Sequence, residues 1–244
     1  MIRAVTFDFW NTLYVEGPAS SRRRRRVLRR EYAADFFAAA GVEVTARQLD
    51  YAFEIVFHDM EHFRLVRHAG MTAEDIGRRM ARTVGSRLDG PEAVRLGELI
   101  SSATREAPPV PVGGARAVLE ALRGKVRLGL ICDTGFTLGH DLYAVMEADG
   151  IAQLLDQFTF SNQTGTTKPE VRQFDHTLFR LGCPPEHAVH VGDLEPTDIA
   201  GAKAAGMRAV RVVVAGEDPA TAADAAVADI TELPDLLGRW GLAV

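Results

Sequence analysis

The chain of 244 residues has only two cysteines, Cys132 and Cys183, far apart and in no CxxC spacing. That scarcity excludes a disulfide framework and a cysteine-based zinc site, and it suits a reducing compartment. No apolar run approaches membrane-spanning length, and Met1 to Phe7 leads straight into Asp8, which leaves no room for the apolar segment of a secretory leader. A cytoplasmic protein without a membrane partner is therefore expected. Nor is there a charge excess: a net charge of -5 with 25% charged residues gives no reason to expect nucleic acid as a partner. No internal repeat is visible.

What is present is enough apolar material, 47% of residues, to bury one full core and a smaller companion. Residues 2–7 have the character of a short buried strand, and strand-like runs recur at 126–131, 157–160, 188–191 and 208–213. Helical spacing fills the intervals at 114–123, 138–148, 170–181 and 198–205, each ending near glycine. Such alternation predicts an α/β fold, a Rossmann-like parallel sheet flanked by helices, with ligands beyond the carboxyl ends of its strands. The interval 15–111 breaks the rhythm with helical periodicity and no convincing strand, so it is expected to be an inserted α-helical cap domain. The α/β core domain would then comprise 1–14 and 112–244, with the stiff segment Pro108-Pro109-Val110-Pro111 as a hinge. Residues 220–228 are Ala/Asp-rich and expected to be weakly structured, ahead of a last short helix beginning near Leu233.

Three loops at the predicted carboxyl edge carry chemistry. Asp8 stands where the first strand gives way to Phe9-Trp10-Asn11-Thr12-Leu13, and a carboxylate there can attack phosphorus to form an aspartyl-phosphate or simply serve an Asx-turn. Gly192-Asp193 and Asp198 place two carboxylates after the fourth run of the core. That arrangement suits Mg²⁺, which takes a few carboxylates and keeps water and substrate phosphate as its other ligands; helix capping is the alternative. Lys168, before Pro169, can act as a compact point charge toward nucleophile and phosphate.

In this order, after successive strands, Asp8, the turn Cys132-Asp133-Thr134-Gly135, Lys168-Pro169 and the pair Asp193 and Asp198 resemble the haloacid dehalogenase superfamily. The resemblance covers 1–14 and about 112–215; the insertion matches only in position, as a cap placed after the first strand. It implies Asp8 as nucleophile, Lys168 as its cationic partner and Thr12 on the leaving-group side. Mg²⁺ would be held by Asp8, the Trp10 backbone carbonyl, Asp193 and Asp198.

Two positions depart from the family pattern. Trp10 occupies the place of the second motif aspartate, which protonates the leaving group in the family's phosphatases, and indole cannot do so; such assistance is typically worth roughly 10²–10⁴ in rate. Cys132 replaces a hydroxyl that donates to phosphate, and a thiol is a weaker donor. Thr134 or turn amides could compensate, and the neighbouring Asp133 is either an ordinary turn residue or a replacement acid. Trp10, Cys132, Asp133 and Thr134 form the expected substrate-binding set.

In the cap, Arg22 to Arg26 with Arg29 and Arg30 form a basic stretch, expected to be a solvated helix face, with phosphate recruitment as the sharper alternative. His58 and His62, at i, i+4 spacing, are expected to pack as polar cap residues rather than bind zinc. The resulting expectation is a Mg²⁺-dependent phosphatase of a small phosphorylated molecule, with a homodimer left open. An impaired binding or regulatory protein and a 2-haloacid dehalogenase-type hydrolase are the alternatives.

Overall fold

The structure, a computed structural model, describes residues 1–242 except 215, 217 and 219. It begins with Ala4–Phe7 (β1), four buried residues with no polar one except the β-branched Thr6. A strand covered on both faces needs such a run. Tyr14–Val15 (β2) follows, and the chain then enters four helices, Ala19–Ala39 (α1), Ala46–Val66 (α2), Ala73–Thr83 (α3) and Gly90–Glu106 (α4). Three of these have reciprocal capping boxes, Thr45 with Gln48, Thr72 with Asp75 and Asp89 with Glu92, which satisfy the free N–H groups of the first turn and fix where each helix starts. Their apolar faces meet in a separate core that includes Phe37, Val56, Ile76, Met80, Leu96 and Ile100. At Gly77 a Cβ would lie 1.9 Å from the Ala93 carbonyl oxygen, so only glycine lets α3 and α4 pack this closely.

The chain returns through Val110–Pro111 (β3), which pairs antiparallel with β2. The proline-rich segment is thus half of a two-stranded ribbon joining the helical insertion to the sheet. After it come Ala115–Leu122 (α5), Arg127–Cys132 (β4), Gly139–Ala148 (α6), Gln157–Phe160 (β5), Ser161–Thr164 (α7), Val171–Leu181 (α8) and Ala188–Gly192 (β6). Ala200–Ala204 (α9), Arg208–Val212 (β7), Ala225–Val227 (β8) and Leu233–Arg239 (α10) complete the fold. The main sheet has the order β5-β4-β1-β6-β7-β8, with every pairing parallel. Alternation along each strand divides the core. Val5, Phe7, Leu130 and Val191 pack with Leu119, Leu142 and Leu237 on one face, while Ala4, Ile131 and Ala209 pack with Phe174, Leu178 and Ile199 on the other. The chain runs outward from β1 in both directions, so the crevice beyond the end of β1 is the natural ligand position. No helix among the described residues is long and apolar enough to cross a membrane.

Two local expectations are corrected. Residues 220–228 contain the edge strand β8: the Asp224 carboxylate accepts from the Ala209 N–H (2.8 Å) and from Lys203 (2.7 Å), and the Val213 N–H donates to the Val227 carbonyl (2.9 Å). Pairing with β7 supplies order that composition does not. The helix expected over 198–205 is shorter, because Glu195–Ile199 forms a wide π-type turn before α9.

Candidate active site

Asp8 is the first residue beyond β1, and its N–H still donates to the Val191 carbonyl (2.9 Å), so the sheet fixes its backbone. Lys168, between α7 and α8, donates from Nζ to Asp8 Oδ1, to Asp198 Oδ1 (2.6 Å) and to the Ile131 carbonyl (3.2 Å). All three side chains are buried. Burial works to lower the Lys168 pKa, but Asp198, Asp8 and Asp133 outweigh it and hold the ammonium well above its ordinary value. For Asp198 burial opposes ionisation and loses to Lys168 and His190, so the carboxyl lies well below the usual range. Asp8 goes the other way: burial, with repulsion from Asp198 and Asp193, pushes it well above the ordinary value despite Lys168.

Asp198 is the anchor of this cluster. Its Oδ2 accepts from the Leu194 N–H (3.1 Å), and its Oδ1 lies 3.2 Å from His190 Nε2. A carboxylate can only accept, so His190 carries its proton on Nε2 and accepts at Nδ1 from the Thr6 hydroxyl (2.9 Å). Burial lowers the His190 pKa and favours this neutral form. Gly192 makes room for the arrangement, since a Cβ there would lie 2.4 Å from Asp198 Cγ.

Asp193 is held by Asn11, whose Nδ2 donates to Asp193 Oδ2 (3.0 Å), and by Arg211, whose Nε donates to the Asp193 carbonyl (3.1 Å). Asn11 itself sits at φ 56°, a left-handed conformation that asparagine tolerates better than most residues. Burial pushes the Asp193 carboxyl up to about 6, against the Asn11 hydrogen bond. Ligand atoms of Asp8, Asp193 and Asp198 all lie within 4.8 Å of one another. Three carboxylates around one ammonium leave negative charge uncompensated, and an all-oxygen set of this kind fits a hard divalent cation such as Mg²⁺.

These groups open into a cavity of about 360 Å³ beneath the helical insertion. Asp8, Trp10, Asp133, Thr134, Lys168, Asp193 and Asp198 line it from the core, and Arg29, Phe57, Met60, Glu61 and Arg64 line it from α1 and α2. Trp10 is half-buried and meets Phe9 edge-on, with ring centroids 4.8 Å apart. Asp133 accepts from the Lys168 N–H (3.1 Å), and burial, opposed by Lys168, pushes its carboxyl up to about 6. Thr134 is tied to Ser161: its N–H donates to Ser161 Oγ (2.9 Å), and the two hydroxyls are 3.0 Å apart.

Two sequence-derived candidates do not line this cavity. Cys132 belongs to the apolar face that packs under α6, with its thiol 3.6 Å from the Asp133 carbonyl. Strand alternation directs it away from the cavity, and Thr134 reaches the cavity instead. Thr12 is buried with a hydroxyl that has no partner among the described residues.

A family model for haloacid dehalogenase-like hydrolases matches residues 2–206. The chain belongs to that family. Among its relatives, this hydrolase is 28% identical to a glyceraldehyde 3-phosphate phosphatase of Methanothermobacter thermautotrophicus, covering 87% of this chain and 86% of that one. It is 29% identical to a ribulose-1,5-bisphosphate 5-phosphatase of Halopiger xanaduensis, covering 97% and 100%. Among solved structures it resembles a 2-haloacid dehalogenase from Pseudomonas syringae, with a TM-score of 0.72 and 25% identity over 99% of this chain and 100% of that one. Sequence reasoning about the hydrolase passed over Asn11, His190, Ser161 and Arg64. Of these only His190 carried a signal, a polar residue inside the apolar run of β6.

Proposed function

We propose that this hydrolase is a Mg²⁺-dependent phosphatase acting on a small phosphorylated molecule in the cytoplasm. The supporting observation is the convergence of Asp8, Asp193 and Asp198 with Lys168 at one edge of the sheet. In this reading residues 1–14 and 112–244 form the catalytic core, and 15–111 form the cap that covers it.

Asp8 is the nucleophile. One carboxylate oxygen attacks phosphorus, the ester oxygen leaves with its bonding electrons, and water then cleaves the aspartyl-phosphate to release phosphate. Lys168 orients Asp8, favours its ionised form against burial and offsets negative charge on the transferring group. Asp8, the Trp10 carbonyl, Asp193 and Asp198 hold Mg²⁺, which when bound offsets repulsion between anionic nucleophile and anionic substrate. His190 and the Leu194 N–H keep Asp198 fixed, and Asn11 does the same for Asp193. Thr134 and Asp133 contact substrate from the turn after β4, whereas Thr12 and Cys132 support the site from behind it.

Trp10 provides no proton for the departing oxygen. Catalysis is therefore expected to favour phosphate esters with weakly basic leaving groups. The test is a panel of phosphate esters with Mg²⁺, assayed beside Asp8→Asn. Mg²⁺-dependent phosphate release that disappears in the variant supports the reading, and release that survives it sinks Asp8 as nucleophile.

A second reading, displacement of halide at carbon, is favoured by the aromatic residue at Trp10 and by the likeness to a 2-haloacid dehalogenase. Against it, a carboxylate substrate would be repelled by Asp193 and Asp198. Halide release from 2-haloacids without added metal would establish it.

A further inference from the structure

A second cavity, of about 860 Å³, adjoins the first, and the two share Glu16, Arg29, Phe57, Phe136 and Thr137 in their walls. Its helical side is formed by the arginine stretch of α1 together with Asp50, Glu54 and His58 of α2. Three of these arginines are neutralised locally, Arg24 by Glu31, Arg25 by Glu16 and Arg30 by Asp50. Arg22, Arg23, Arg26 and Arg29 form no ion pair among the described residues.

Arg29 stands at the junction. Its Nη2 donates to the hydroxyls of Thr137 (2.8 Å) and Thr104 (3.5 Å), and its guanidinium lies over the Phe136 ring, 5.3 Å from the centroid. Neither hydroxyl brings a countercharge. Its Nε is buried and has no partner among the described residues. Burial, then the proximity of Arg25, lowers its pKa to about 9 against attraction from Glu16 and Asp141, which still leaves it charged at neutral pH. A half-buried, positioned cation with no carboxylate in ion-pair contact is poorly compensated until an anion completes it, and a guanidinium presents paired donors that match phosphate or carboxylate. The cavity at Asp8 holds the scissile phosphate in the reading above, so an anion at Arg29 belongs to the far part of the same molecule.

We propose that the arginine-lined cavity of α1, entered past Arg29, binds a second anionic group of the substrate, a phosphate or a carboxylate, while the phosphate to be cleaved lies against Asp8. The substrate class is thereby narrowed from phosphate monoesters to doubly anionic ones. This rests on the phosphatase reading for the first subsite but not for the second.

The test compares matched pairs on the Mg²⁺-loaded protein. Fructose 1,6-bisphosphate is set against fructose 6-phosphate for a second phosphate, and 3-phosphoglycerate against glycerol 3-phosphate for a carboxylate. Turnover is measured with the native chain and binding by calorimetry with Asp8→Asn. A charge-assisted contact predicts a preference of about 10- to 100-fold for the doubly anionic member of at least one pair. Arg29→Met should reduce that ratio toward one, the exposed Arg26→Gln should reduce it less, and Arg29→Lys should restore part of it. The pair that shows the preference distinguishes phosphate from carboxylate. No preference in either pair, or a preference that Arg29→Met leaves intact, overturns the proposal. Binding preference without turnover in the native chain would remove the phosphatase reading and leave the second subsite standing; turnover of p-nitrophenyl phosphate without any preference would do the reverse.

Discussion

On the core side of the active-site cavity, three buried carboxylates crowd around one ammonium, whereas on the helical side four arginines of α1 have no carboxylate partner among the described residues. Charge in the core is organised by fixed partners: Lys168 bridges Asp8 and Asp198, His190 and Leu194 hold Asp198, and Asn11 holds Asp193. Charge at Arg29 of α1 is held by neutral hydroxyls and an aromatic face. Under the proposed function and subsite, the difference would separate two tasks. Groups that must keep one geometry through a reaction are locked to the sheet, and groups that choose among molecules are left unsatisfied until one arrives.

The comparison can be broken most severely at Lys168. Lys168→Met leaves two buried carboxylates without their cation, and a loss of about 3–5 kcal/mol is expected from urea unfolding without Mg²⁺. A change below about 1 kcal/mol would mean that the core cluster is no more tightly bound than surface charges are. Next is Trp10→Asp, which returns a proton donor to the cavity. It should raise phosphatase turnover by roughly 10²–10⁴, most for esters with strongly basic leaving groups. A uniform change across leaving groups would contradict the role assigned to the missing acid.

The smallest effect concerns pH. Without a cation, burial pushes the Asp193 carboxyl up to about 6, and Mg²⁺ needs the ionised form. Protons compete as pH falls through about 6, so Mg²⁺ affinity measured by calorimetry should be lower at acidic than at neutral pH, by up to about tenfold per unit. Arg29, with its pKa at about 9, remains charged throughout, so anion binding at α1 should not follow that trend. Parallel loss of both would merge the two regions into one titrating system.

The strands and helices of the core were legible because buried parallel strands are near-continuous apolar runs and the helices between them end at glycines such as Gly182, which adopts φ 62°. The edge strand β8 was not, because its order comes from pairing with β7 and from the Asp224 contacts rather than from Ala225-Ala226 themselves. At the site, Asp8, Lys168, Asp193 and Asp198 could be found because each follows a strand at the same edge. Asn11 was passed over because its part depends on a left-handed backbone, and Arg29 was indistinguishable from its neighbours because only helix phase decides which arginine faces the cavity. Cys132 was placed by its position in a motif, whereas strand alternation sends it to the opposite side from its successor Asp133.

The ribbon of β2 and β3 has a consequence for how such a molecule can change. Outgoing and returning chain pass side by side at Val15 and Val110, so everything spliced between them enters and exits through a single doorway. A replacement of any length whose ends meet that doorway leaves the registers of β1 with β4 and β6 untouched. Such a replacement must still meet the segment before Lys168, where the Thr167 N–H donates to the His68 carbonyl (2.9 Å) and the Gly70 N–H to the Gly165 carbonyl (3.3 Å).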